Sequence, residues 1–318
     1  MPNLTRRAAL GLAASGVAAS DANATASHKS RVGSVSIVEF GADPTGSTDS
    51  TDAIKAAINS GASHVVAPAG KYRIKSVSFS PWGIPGVESK PFVFDASAAH
   101  FVHANDTMDR AMFELYPGKN RQLIRCVFKF GFVEGSPNVK YLLYLRQCNN
   151  CRIEAAYIGP GQQSTGVFVD QERDPPFGSF NNLIEIQDIA DCKNAITIYA
   201  DVTGVNGFEG NIVTIGRIGA CAENGLTIGR QKNVRVIFNT FVLGPIEHCR
   251  NGYGIYERGG GNQYYVNNLN SNQRGIGALG GLSKKSLFIV SNEGSVDVAV
   301  EREHSYIDVH KKAGTLGR

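Results

Sequence analysis

From about Gly166 onward the chain repeats one phrase: a small polar turn, a Gly or Ala, then two apolar residues with one residue between them. The copies are Gly166-Val167-Phe168-Val169, Ala195-Ile196-Thr197-Ile198, Gly225-Leu226-Thr227-Ile228, Gly252-Tyr253-Gly254-Ile255 and Gly275-Ile276-Gly277-Ala278, spaced by roughly 23 to 30 residues. The turn ahead of them repeats too, as Cys192-Lys193-Asn194, Ala222-Glu223-Asn224 and Cys249-Arg250-Asn251. Other alternating runs lie between copies, such as Leu183-Ile184-Glu185-Ile186, Ile212-Val213-Thr214-Ile215 and Val234-Arg235-Val236-Ile237. Such alternation predicts short strands with every second side chain turned inward. One repeat cannot bury its apolar edge alone, whereas stacked repeats bury a continuous core. The expected architecture is therefore a parallel β-helix, with Val167, Val169, Ile196, Ile198, Leu226, Ile228, Ile255 and Ile276 in aliphatic ladders. Leucine-rich repeats have a similar period, but their L-x-x-L-x-L-x-x-N frame is missing, and no helical periodicity runs through these segments. After about residue 282 the phrase fades, and Ser286-Leu287-Phe288-Ile289-Val290 and Ser305-Tyr306-Ile307-Asp308-Val309 read as final strands.

Composition agrees with many short strands and turns: 36 of 318 residues are glycine, with 42% hydrophobic and 19% charged. A net charge of +4, with no basic stretch interleaved with aromatics, gives no support to nucleic-acid binding. It does suit a chain that handles an acidic polymer. Arg6-Arg7, the apolar run Ala8 to Ala14 and the small-residue exit Ala24-Thr25-Ala26 read as a twin-arginine-like signal over residues 1–26, so the expected location is periplasmic or extracellular. No later segment has the length of apolar residues that a membrane span needs. The six cysteines, Cys126, Cys148, Cys151, Cys192, Cys221 and Cys249, are even in number, which invites a disulfide framework. The C-x-x-C at Cys148 and Cys151 is unaccompanied by a second pair or by clustered histidines, and three cysteines recur at repeat positions, so small buried core residues are expected instead.

The segment Val38-Glu39-Phe40-Gly41-Ala42-Asp43-Pro44-Thr45-Gly46 continues through Asp49-Ser50-Thr51-Asp52-Ala53-Ile54-Lys55-Ala56-Ala57-Ile58 to Val65-Val66-Ala67-Pro68-Ala69-Gly70-Lys71-Tyr72-Arg73-Ile74. It resembles the opening of the pectate lyase superfamily: a strand, "FGA", a Gly/Asp/Thr loop, "D-x-x-AI-x-AAI" and a first rung with a "P-x-G-x-Y" turn. The resemblance implies an all-β, right-handed parallel β-helix solenoid with a short N-terminal capping helix. On this reading residues 27–318 are one domain, with the cap at 35–62, rungs over about 63–281 and the C-terminal end at 282–318. The residues themselves support a helix here. Asp52 or Thr51 suits its N-cap, and Ile54, Ala57 and Ile58 make one apolar face. Asp43, Asp49 and Asp52 are accordingly given structural roles. The family includes lyases, hydrolases, epimerases and phage tailspikes, so the resemblance implies carbohydrate handling and not one reaction.

The N-T-D, D-D, G-H-G and R-x-K set of polygalacturonase-like hydrolases is missing. The calcium-dependent lyases of the family make calcium the candidate cofactor, with no metal ligands identifiable from spacing. The candidate site rests on the ladder alone. Aligned at the Gly or Ala, the repeats stack Asp170, Tyr199, Gly229, Tyr256 and Leu279 outward, then Glu172, Asp201, Gln231 and Arg258, with Arg230 and Glu257 between. Tyr199, Glu172 and Gln231 are candidate substrate-binding residues. For β-elimination, the favoured reaction, Tyr256 or His248 is the candidate base, with Arg230 or Arg258 neutralising a uronate. For hydrolysis the carboxylates are Asp170, Asp201 and Glu257. His248 in Glu247-His248-Cys249-Arg250 also reads as an ordinary turn residue. Trp82 and the polar loop Gln171 to Gly178 are candidate walls of a binding groove. A non-catalytic binding or tailspike-like protein and an epimerase are the other readings. Trimers occur in the family, and the sequence does not show one.

Overall fold

The computed structural model describes residues 33–80, 91–118, 121–171, 177–200, 207–229, 235–278, 285–291, 298–300 and 305–309. The signal-like segment lies outside them. Among the described residues the chain winds through a 12-stranded sheet (sheet I), a 9-stranded sheet (sheet II) and a 5-stranded sheet (sheet III). It visits them in that order on each coil: Val127–Glu134, Val139–Leu145 and Cys148–Asn149, then Arg152–Ile158, Gly161–Gln171 and Ser179–Phe180. Neighbouring coils pair in parallel, and such crossovers wind right-handedly, so the molecule is a right-handed parallel β-helix. Both expected late strands form, Ser286–Val290 and Ser305–Val309, and they extend sheet I.

One helix, Thr51–Asn59, buries Ile54, Ala57 and Ile58 against the first coil, as its pattern requires. Its cap differs from expectation. Ser50 is the N-cap, and Asp49 Oδ1 accepts from the Thr51 backbone N–H at 2.9 Å and hydroxyl at 2.5 Å. The expected opening strand is only Ser34–Ser36; Ile37–Phe40 is a 3-10 turn closed by Ser36 and Glu39. Asp43 accepts from the backbone and hydroxyl groups of Thr45 and Thr48, which holds its carboxyl well below the usual range and shapes the loop.

The predicted ladders are present. Val167, Ile196, Leu226, Ile255 and Ile276 pair in sequence, as do Val169, Ile198 and Ile228, and each is exposed by 2% or less. The fourth phrase is displaced by two residues, because Leu226 pairs with Ile255 and not Tyr253. Gly252-Tyr253-Gly254-Ile255 contains two overlapping Gly-x steps, and the second one is the rung. Aromatics fill the two ends of the core. Phe79 meets Phe94 and Phe128 near the start, and Phe241, Tyr264 and Phe288 stack at 4.8 and 4.4 Å near the end.

Two turns per coil are closed by left-handed residues. Asn150, Asn181, Gly210, Phe238 and Gly261 stand between sheets III and I; Gly159, Asp191, Ala220, His248 and Ser271 stand between sheets I and II. The residue after each turn points inward and forms a column. Asn182, Asn211, Asn239 and Asn262 pass amide hydrogen bonds from coil to coil at 2.9, 2.9 and 3.0 Å. Each also bonds a backbone carbonyl two strands away in the chain, such as Asn211 Nδ2 to Ser179 O at 3.2 Å. Cys126 and Cys151 occupy the same column on earlier coils, and Cys192, Cys221 and Cys249 precede Asn272 in the second. All six cysteines are free and buried, and burial pushes the Cys151 and Cys192 thiols up, so they serve as small core residues. Replacing Asn211 by Ala removes the partner of the Asn182 backbone N–H and the amide donor to the Ser179 carbonyl, and leaves the Asn182 amide with the Cys148 carbonyl as its acceptor. Each buried group left unpaired costs about 1–3 kcal/mol. Chemical denaturation of Asn211→Ala is expected to show a loss of at least about 2 kcal/mol.

Candidate functional site

The outward side chains of sheet II fall into rows one coil apart, about 4.8 Å per step. One row carries Glu114, Tyr144, Phe168, Thr197, Thr227 and Tyr256. The row two residues on carries Tyr116, Arg146, Asp170, Tyr199, Gly229 and Arg258, held in place by backbone bonds from Arg146, Gly229 and Arg258 to the preceding coil or the next. These side chains point away from the core, yet Tyr141, Tyr144 and Phe168 are buried and form a second hydrophobic cluster with Ala111. Tyr141 and Phe168 stack at 4.1 Å, and Tyr199 meets Phe168 edge-on at 5.2 Å.

Charge is concentrated around this aromatic bed. The Tyr144 hydroxyl donates to Asp170 Oδ2 at 2.6 Å, and Arg146 Nη1 lies 3.7 Å from the same oxygen. Arg110 pairs with Glu114 at 2.9 Å while its guanidinium lies 4.3 Å from the Tyr144 ring centre. Burial, and then the bond to Asp170, push the Tyr144 hydroxyl above the usual tyrosine range, so it stays protonated and acts as a donor. Further along the same face Arg258 Nε donates to the Tyr256 hydroxyl at 2.7 Å, Tyr253 lies 5.2 Å from Tyr256, and Arg274 donates to the Tyr253 hydroxyl at 3.0 Å. The small residues Thr197, Thr227 and Gly229 separate the two groups, leaving a shallow run between aromatic ends. Among the described residues Arg110, Lys140, Arg146, Arg258 and Arg274 stand here against Glu114 and Asp170, so cations are in excess.

The expected site residues are only partly brought together. Asp170 and Tyr199 are in register, as expected. The two-residue displacement puts Arg258, not Tyr256, in the row of Gly229; Tyr256 lies in the row of Thr227. A two-residue slip keeps both side chains on the outer face, because strand side chains alternate with period two. Glu257 has the opposite parity and points inward, 3% exposed, where Asn262 Nδ2 and Ser286 Oγ each donate to it at 2.8 Å. It closes the asparagine column and is not a surface carboxylate. His248 is also removed from the site: it is a left-handed turn residue (φ 58) between sheets I and II, stacked on Ala220 and Ser271. Glu172, Asp201, Arg230, Gln231 and Trp82 lie outside the described residues. Arg110, Glu114, Tyr141, Tyr144, Arg146 and Phe168 are the residues that ladder reasoning missed. Their signal was the alternation of Tyr141-Leu142-Leu143-Tyr144-Leu145-Arg146, one coil before the phrase becomes regular.

A serine, histidine and aspartate also meet elsewhere. His103 Nδ1 lies 2.6 Å from Ser136 Oγ, and Nε2 lies 3.0 Å from Asp109. The backbone N–H groups of Asn105 and Asn138 donate to His103 and Ser136, so this buried network pins a turn. Among the described residues no three His, Cys, Asp or Glu side chains converge as a metal site.

Three coiled sheets, the inward asparagine column and the helix-and-turn opening define a known architecture, and a family model described as rhamnogalacturonase A/epimerase, pectate lyase-like, matches residues 34–111. That match, together with the parallel β-solenoid, supports the pectin-lyase-like β-helix superfamily. No curated protein matches it. Among solved structures it is similar to ORF18 of Geobacillus virus E2, at 13% identity and a TM-score of 0.60, over 87% of this chain and 60% of that one. The chain thus spans about three-fifths of that protein's length. Looser matches are to PfbA, a surface adhesin of Streptococcus pneumoniae (12% identity, TM-score 0.39, 87% and 82% covered), and to the catalytic unit of a GH87 α-1,3-glucanase from Streptomyces thermodiastaticus (14%, 0.28, 88% and 68%). At these identities the likeness is one of fold.

Burial pushes the Glu257 carboxyl up, so it is protonated in the folded chain over a range where it ionises in the unfolded one. Its contribution is intact below the ordinary carboxylate range and is lost as pH rises through the raised value. Urea unfolding from pH 4 to pH 8 is expected to show this loss in the native chain, at up to about 1.4 kcal/mol per pH unit within the window. Glu257→Gln is expected to flatten that slope.

Proposed function

We propose that this β-helix acts on an acidic polysaccharide laid across the outer face of sheet II and cleaves it by β-elimination. The observation that carries the reading is the hydrogen-bonded Tyr256–Arg258 pair on a face whose other charges are mostly cationic. In such a reaction Tyr256, as a phenolate accepting the Arg258 hydrogen bond, takes the proton next to the uronate carboxylate. A C=C bond forms as the glycosidic C–O bond breaks, and the Tyr256 hydroxyl returns that proton to the departing oxygen. Arg258 neutralises the negative charge that builds on the carboxylate. Arg274 and Tyr253 hold the neighbouring sugar, and the partly exposed Tyr199 offers a ring on which the apolar side of a sugar can pack. The family-model match over residues 34–111 supports the carbohydrate part of this reading, since that model is described as rhamnogalacturonase A/epimerase, pectate lyase-like. The Arg6-Arg7 segment and its apolar run support export to where such polymers occur.

Hydrolysis is the second reading, because Asp170 and Glu114 lie on strands two steps apart with Tyr144 between them. Asp170 is also two residues further along its strand, so the backbones stand about 12 Å apart and the two side chains would have to lean together over Tyr144 to reach the carboxyl separation of about 6.5–9.5 Å used by inverting hydrolases.

Incubation with polygalacturonate and other uronate polymers, followed by ultraviolet absorbance for the unsaturated product and by reducing-end assay, separates the two. Elimination raises both signals. Tyr256→Phe is then expected to lower kcat by about 10²–10⁴ and Arg258→Ala by about 10²–10³. Reducing ends without absorbance, abolished by Asp170→Asn, would replace elimination by hydrolysis. No signal on any polymer would leave a binding role for this face.

A further inference from the structure

Sheet I carries a second groove, on a different side of the solenoid from sheet II. A trough of about 490 Å³ is lined by Lys129, Glu154, Glu185, Gln187, Thr214 and Gly216. Its origin is a bend in the strands. In Arg152–Ile158 both Glu154 and Tyr157 are outward, so the strand turns a corner between them, and the same happens in Leu183–Ala190 between Glu185 and Asp188. At the corner the strands approach so closely that a Cβ on Gly216 would lie 2.4 Å from Gln187 O, and one on Gly244 1.8 Å from Gly216 O. Glycine is required there, and its lack of a side chain keeps the floor open.

The chemistry differs on the two sides of the bend. In the trough, Lys129, Glu154, Glu185 and Thr214 follow each other coil by coil. Past the bend, beside the trough and not in its lining, His100, Phe132, Tyr157, Asp188 and Arg217 do the same. Phe132 is 51% exposed although aromatic, and its ring lies 5.7 Å from Tyr157 and 5.8 Å from His100. With Ser97 at one end and Thr214 at the other, the trough crosses four coil steps, about 19 Å.

We propose that this trough is a second glycan-binding groove, distinct from the sheet II face, that takes an uncharged, hydroxyl-rich polysaccharide chain. An extended chain lying along the solenoid axis presents its hydroxyls to the Glu154, Glu185 and Thr214 wall. It buries the C–H face of a sugar ring against the Phe132–Tyr157 ridge. The charges here balance and so offer a uronate polymer no net attraction. Arg152 is drawn between Glu154 and Glu185, 2.5 and 2.9 Å away. Arg217 is likewise bound to Asp188 at 2.8 Å. With Lys129 this makes three cations against three carboxylates, without the excess of cations described on the sheet II face. Holding a neutral polymer on one side while the other works on an acidic one would anchor the protein where the two are mixed. The assignment does not depend on which reaction, if any, sheet II performs.

The test is affinity electrophoresis of the full chain in gels containing soluble galactan, xylan, mannan, β-glucan or polygalacturonate. Circular dichroism of each variant confirms folding. The expected result is retardation by at least one neutral polymer, with apparent affinity reduced at least tenfold in Tyr157→Ala and in Glu154→Lys and kept in Tyr256→Phe. Tyr157→Phe, which preserves the ring, is expected to bind as the native chain does. No retardation by any neutral polymer would overturn the proposal. So would retardation that Tyr256→Phe or Asp170→Asn abolishes and Tyr157→Ala leaves intact, or loss of polygalacturonate binding on Tyr157→Ala. None of these outcomes bears on whether sheet II cleaves its polymer.

Discussion

Each coil of this solenoid can satisfy its inward face only against the coil before and the coil after it. That constraint is strict for polar groups, because a backbone N–H or carbonyl turned into the core must find a partner at the same height. The asparagine column meets the demand. Asn182, Asn211, Asn239 and Asn262 each accept, at the amide oxygen, from a backbone N–H of the preceding coil and donate an amide N–H to a backbone carbonyl of that same coil. The column needs an end, and Glu257 with Ser286 supplies it. A buried carboxyl is costly when ionised, and here protonation and two donors reduce that cost.

Once the turns are locked in register, the outer faces inherit that register. Side chains from residues about 20 to 30 apart in sequence become neighbours about 4.8 Å apart, and rows of like chemistry form without any local motif. On sheet II the rows bring aromatic rings, arginines and Asp170 together, and the outward Tyr141, Tyr144 and Phe168 are buried as a cluster in their own right. On sheet I the bend at Gly216 and Gly244 opens a trough beside a row of different character. Two sides of one solenoid therefore carry different charge balances, while the same column of turns underlies both.

The architecture was legible because it follows from periodicity. Alternating residues, a recurring Gly or Ala and a polar turn can be satisfied together only by stacking, so Val167, Ile196, Leu226, Ile255 and Ile276 were legible as inward ladder residues, although the register that sets Ile255 beside Leu226 was not. The cysteines were legible for the same reason: recurrence at turn positions marks a column, and Cys192, Cys221 and Cys249 form one with Asn272. The helix face was legible too, but its cap was not, since Asp49, Ser50, Thr51 and Asp52 are all good capping residues and only the tertiary setting selects among them.

What the sequence by itself determined is the coil, its core and the side of each strand that faces water, because these rest on a two-residue alternation repeated many times. What only the tertiary structure decided is which outward residues meet. The overlap in Gly252-Tyr253-Gly254-Ile255 allowed two alignments, and the parity of Glu257 placed it inward against the wall of the last asparagine. His248 was drawn into a turn whose left-handed backbone position is set by its neighbours in the stack. The bend in sheet I has no one-dimensional signature beyond scattered glycines. Neighbourhood across coils depends on the exact length of each turn, and a pattern that tolerates turns of unequal length cannot carry that information.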